Sequence, residues 1–86
     1  MHFVKNVSYV SDYKLILTFE DNSMRLADLA NELDGEVFEP LKNPAYFKTV
    51  RVDPDLDTIA WDNGADMAPE FLYEIGVPIS ESAQAA

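Results

Sequence analysis

Two groups of carboxylates in this sequence have a spacing that could do chemistry. Asp53, Asp55 and Asp57 alternate along the chain, as do the residues whose oxygens open a calcium-binding loop and converge on one hard cation. The rest of such a loop is missing. Counting from Asp53, Thr58 stands at the sixth position, where a glycine makes the sharp turn, and Gly64 stands at the twelfth, where a glutamate would bind through both oxygens. The triplet therefore reads as a solvated turn, and no metal ligand is assigned. Asp62 and Asp66 bracket Asn63-Gly64, and Glu70 follows one helical turn later. Three carboxylates so placed could serve a small acid–base or metal-assisted hydrolase. A structural account needs less: Asn63 and Gly64 tolerate positive φ in a turn, Asp66 can cap the following helix, and Trp61 can anchor a strand in the core.

The remaining reactive side chains are isolated. His2 is the only histidine and sits at a terminus expected to fray, which makes it a poor general base and a poor metal ligand. Ser8, Ser11, Ser23, Ser80 and Ser82 have no partner base, and the three glycines form no phosphate-cradling loop. No catalytic residue and no cofactor is assigned. The expected role of the Trp61 to Tyr73 segment is recognition of a partner, through Trp61, Asp62, Asn63, Asp66, Glu70 and Tyr73.

These residues must be positioned by short elements. Phe3 to Val10 is rich in β-branched and aromatic residues, and Tyr13, Leu15, Leu17 and Phe19 alternate with Lys14, Ile16, Thr18 and Glu20. Two strands joined at Ser11-Asp12 are predicted, with a turn at Asp21-Asn22-Ser23 leading to a third short strand through Met24 and Leu26. Leu26, Leu29, Ala30 and Leu33 fall at i, i+3, i+4 and i+7, the stripe of a short amphipathic helix that Gly35 would close. Val37, Phe38 and Leu41 form one further apolar turn limited by Pro40, and Asn43-Pro44 opens another as N-cap and first helical residue. Thr49 to Asp53 and Thr58 to Trp61 form a second hairpin around Pro54 to Asp57, and Pro69 starts a last helix stopped by Gly76 and Pro78. The expected fold class is α+β: a small antiparallel sheet built from two hairpin or meander units, in the order β-β-β-α-α-β-β-α, with short helices packed on it. One domain over 1–78 and a disordered tail over 79–86 are expected.

Composition sets the surroundings. A chain of 86 residues buries only about 60 to 65% of its unfolded surface. The absence of cysteine removes thiolate chemistry and suits a reducing compartment. No signal peptide and no membrane span is read from the sequence, so a cytoplasmic location is expected. Six basic against sixteen acidic residues give a net charge of −10, and the stretch from Asp53 onward contains eight acids and no lysine or arginine. Such a surface repels phosphate backbones, which disfavours direct nucleic-acid binding, and it steers a basic protein. Tyr46, Phe47, Trp61, Phe71 and Tyr73 are many aromatics for so small a core. A homodimer, or a heterodimer with a basic companion, is therefore expected.

The strand from Tyr13-Lys14-Leu15 to Phe19, the Asp21-Asn22 turn, Asp28-Leu29, Phe38-Glu39-Pro40-Leu41, Phe47 before Val50-Arg51-Val52, and the run from Trp61 through Tyr73 follow one another in family-like order. On these residues nearly the whole chain resembles DUF2442, a family of small bacterial proteins known only as a domain of unknown function. Asn22-Ser23 departs from the Asp-Gly or Asn-Gly turn expected there. The resemblance implies an α+β domain with an antiparallel sheet, found alone or joined to a helix-turn-helix module that this sequence lacks, with no established activity. It also implies a role beside a small companion protein in toxin–antitoxin-like pairs.

Overall fold

Leu15, Leu17 and Phe19 are fully buried while Lys14, Ile16 and Thr18 between them are half-buried, the two-residue period of a strand with one face on a core. In the computed structural model, which describes residues 1–79, these residues belong to β2 (Lys14–Phe19). It pairs antiparallel with β1 (Val4–Ser11) on one side and β3 (Met24–Asp28) on the other. The β1–β2 turn falls at Asp12-Tyr13, one residue later than expected, with Asp12 in the left-handed region at φ 46°. Tyr13 is thus a turn residue; its hydroxyl donates to the Lys42 carbonyl and its ring meets Phe47 edge-on at 5.2 Å. Between β2 and β3, Asn22 adopts φ 66° and supplies the left-handed position, so the turn forms with Ser23 where a glycine was expected. Asp21 braces this turn by accepting from the Ser23 amide at 3.0 Å and hydroxyl at 2.5 Å.

The helix expected over Leu26 to Leu33 is absent. Leu26 and Ala27 lie in β3 opposite Ile16 and Leu15, and Leu29 and Leu33 are buried from an irregular segment. Asp28 accepts from the Ala30 amide at 3.0 Å, a side-chain turn that competes with helix formation. Gly35, at φ 101°, precedes a 3-10 helix (Glu36–Lys42) instead of ending an α-helix. Asn43 and Pro44 behave as expected: the Asn43 side chain accepts from the Ala45 amide at 3.0 Å and Pro44 begins α1 (Pro44–Phe47). The second hairpin, β4 (Arg51–Asp53) and β5 (Thr58–Ala60), is a separate two-stranded sheet. Its Asp57 carbonyl receives the Val4 amide at 2.9 Å, which ties it to the end of β1.

After α2 (Pro69–Ile75) the chain forms a strand that the sequence reading did not include, β6 (Val77–Ile79), giving the larger sheet the order β1-β2-β3-β6. Ile79, placed in the expected tail, pairs with Met24; residues 80–86 lie outside the described part. Pro78 is tolerated because β6 is an edge strand. One core of Leu15, Leu17, Phe19, Leu41, Phe47, Ile59, Trp61 and Leu72 joins the inner face of this sheet to the helices and the small hairpin. The architecture is α+β. Among the described residues, no helix is long and apolar enough to cross a membrane.

Candidate functional site

The segment from Trp61 to Tyr73 is built around a tight turn. The Trp61 amide donates to the Ala65 carbonyl at 2.9 Å, the Gly64 amide returns to the Trp61 carbonyl at 3.1 Å, and Gly64 sits at φ 92°, a conformation that a side chain resists. Asn63 locks the turn from outside, accepting from the Ala65 amide at 3.1 Å and donating to the Val37 carbonyl at 2.8 Å. Trp61 itself is 1% exposed. Its indole N–H donates to the Phe47 carbonyl at 2.9 Å and its ring lies 5.7 Å from Phe47. Trp61 therefore supports the surface from beneath and cannot contact a partner on it, because the core takes the whole indole.

The exposed members of the expected surface have different neighbours. Asp62 meets Arg51 Nε at 3.4 Å, and Arg51 also approaches Asp53 at 3.7 Å. Asp66 does not cap α2: its backbone bridges to Ala60, and the N-cap is Ala68, which has no side-chain acceptor. Glu70 accepts from the His2 amide at 2.7 Å. No polar contact joins any two of Asp62, Asp66 and Glu70 among the described residues, and none of their clusters there groups three His, Cys, Asp or Glu side chains to hold a metal ion. In the Asp53 turn, the Asp53 carboxylate accepts from the Asp55 amide at 2.9 Å, an ordinary local bond.

Tyr73 marks a second cluster, assembled from residues distant in sequence. The His2 ring stacks on Tyr73 with centroids 3.6 Å apart and planes 9° apart, and the Arg25 guanidinium carbon lies 3.7 Å from the same centroid. Two groups so close to one ring centre cannot share a face, so Tyr73 is sandwiched between them, with Phe19 edge-on at 5.0 Å. His2 is thus packed against Tyr73 and held beside Glu20. Its Nδ1 lies 3.1 Å from Glu20, whose carboxylate also accepts from the Phe3 amide at 2.9 Å. That amide bond, with a smaller contribution from His2 and against some burial, holds the Glu20 carboxyl below its ordinary value. Asp21 is likewise lowered, chiefly by the Ser23 hydroxyl and then by the Ser23 amide.

Arg25 completes the cluster, and strand alternation places it on the same face as Ala27, the one signal of it in the sequence. It stands opposite Leu17 on the inner face, donates to the Gly76 carbonyl at 2.9 Å, and leaves its buried Nε without a hydrogen-bond partner. A concavity of about 640 Å³ opens near the β2–β3 turn, lined by residues including Asn6, Thr18, Met24 and Ile79. None of the six expected recognition residues lines it.

Comparison with known proteins gives one finding: the DUF2442 family model, described as a protein of unknown function, matches residues 4–78. No curated protein and no solved structure matches the chain.

Proposed function

Since this chain belongs to the DUF2442 family, for which no function is described, we propose that it is a protein-interaction module whose acidic second half receives a basic protein partner. One observation carries this reading. Of the seven acids from Asp53 to Glu74, only Asp53 and Asp62 reach a cation, and they share the single guanidinium of Arg51. Asp55, Asp57, Asp66, Glu70 and Glu74 are exposed and have no ion pair among the described residues. Carboxylates left without internal cations set up a field that accelerates encounter with a positive surface and disfavours nucleic acid.

Asp62, Asn63, Asp66 and Glu70 are the side chains offered to that partner, with Tyr73 contributing from within its sandwich. In its more specific form, the protein acts in the cytoplasm as the neutralising half of a toxin–antitoxin-like pair, following the family resemblance. The hydrolase alternative through Asp62, Asp66 and Glu70 receives no support from the geometry, because Asp62 faces Arg51, Glu70 accepts from the His2 amide, and no polar contact joins either to Asp66 among the described residues. Affinity capture from the native host, at low and at physiological salt, tests the proposal. Recovery of a basic protein whose retention falls with salt is expected; absence of any basic partner under both conditions overturns the reading.

A further inference from the structure

The outer face of the four-stranded sheet is covered by none of the helices, whose buried residues join the core on the inner face. Register fixes what this face presents. Ser8, Ile16, Leu26 and Val77 are directly opposite one another across β1, β2, β3 and β6, and Asn6, Thr18, Met24 and Ile79 form the next row. Val77 is 61% exposed, and Ile16, Met24, Leu26 and Ile79 are half-buried. The only charges in these rows and the one beyond are Lys14 and Asp28, which stand opposite each other and form no ion pair among the described residues. On a chain of net charge −10 this face is a neutral, largely apolar island.

We propose that the occupant of this face is a second copy of the chain. A twofold axis parallel to the strands, running between β2 and β3, superposes the order β1-β2-β3-β6 on its reverse. Ile16 then meets Leu26 of the second copy, Ser8 meets Val77, and the unpaired Lys14 meets the unpaired Asp28, each contact occurring twice. Aligned packing of two sheets within about 30° permits this match. Four strands about 4.8 Å apart share two outward rows about 7 Å apart, and Lys14 and Asp28 on β2 and β3 add part of a third, a footprint of roughly 300 Å². A standard interface takes about 800 Å² per partner, so the dimer is reversible.

The inference is independent of the acidic surface and has the opposite salt dependence. Two copies of net charge −10 repel, so salt strengthens dimerisation while it weakens capture of a basic protein. Sedimentation of the full chain from about 5 to about 500 μM, the range suited to a small interface, reads the mass directly. A concentration-dependent dimer is expected, with at least a tenfold loss of association in Leu26→Asp. Lys14→Asp at a half-buried position and Asp28→Lys at an exposed one each weaken it severalfold, and the two together restore it.

The cysteine-free sequence allows a geometric check. Ser8 and Val77 lie three strand spacings apart within one chain, about 14 Å and beyond disulfide reach, so Ser8→Cys with Val77→Cys should form a covalent dimer under mild oxidation. A monomer at every concentration overturns the proposal, as does a dimer indifferent to Leu26→Asp and to the charge exchange.

Discussion

At Trp61 one side chain does two jobs that substitution separates. Trp61→Phe keeps most of the packing but removes one of the two donors to the Phe47 carbonyl, which keeps the Val50 amide, and should cost about 0.5–1.5 kcal/mol. Trp61→Ala adds a cavity and should cost about 3–5 kcal/mol, both read from urea unfolding. Glu20 gives a pH dependence with a definite sign. Its folded carboxyl lies below the ordinary 4.5, so the charged form stabilises the fold above that value and the contribution is lost as pH falls through the lowered value. Between about pH 6.5 and about pH 3.5, the native chain should therefore lose more stability than Glu20→Gln does. The same comparison by NMR should show the His2-Phe3 amides shifting with Glu20 titration.

At the scale of elements, local caps and distant contacts differ in how well the sequence displays them. Asn43-Pro44 is legible because an N-cap needs only the amide two residues on, and Asn43→Ala should lower stability by about 1 kcal/mol in the same unfolding assay. Gly76 is not legible in the same way. A Cβ there would lie 2.8 Å from Arg25 Cβ and 2.9 Å from the Leu72 carbonyl, so Gly76→Ala must displace β3 or the end of α2. A cost of about 1–3 kcal/mol is expected, the scale of an overpacked core, with amide exchange accelerated in β6 more than in β1. The stripe from Leu26 to Leu33 shows how periodicity misleads: Leu29 and Leu33 are buried as a helix would bury them, yet Leu26 pairs with Ile16 and the chain reaches the core through a loop.

For the whole molecule, charge sets the behaviour that can be measured without knowing a partner. The uncompensated acids from Asp55 to Glu74 should make the association rate with any basic partner fall steeply between about 50 and 200 mM salt, measured by stopped flow. Removing Asp66, Glu70 and Glu74 as Asn or Gln should flatten that dependence. Because Glu70 receives only a backbone amide and Asp66 and Glu74 hold no cation, these changes leave the core untouched. Self-association through the neutral sheet face responds to salt in the opposite direction, which keeps the two kinds of binding separable.

The sequence by itself determined the antiparallel meander through β1, β2 and β3, the Asn43-Pro44 cap, the second hairpin and the start of α2 at Pro69, since each rests on neighbours within a few residues. It also determined the acid excess. Only the tertiary structure decided that Trp61 is covered, that Asp62 and Glu70 serve different neighbours, and that His2 and Arg25 enclose Tyr73. The same holds for β6, whose three residues become a strand only because β3 offers an open edge. These contacts join residues tens of positions apart, and their free energy exists only once the chain has closed the loops between them, so no local pattern announces them.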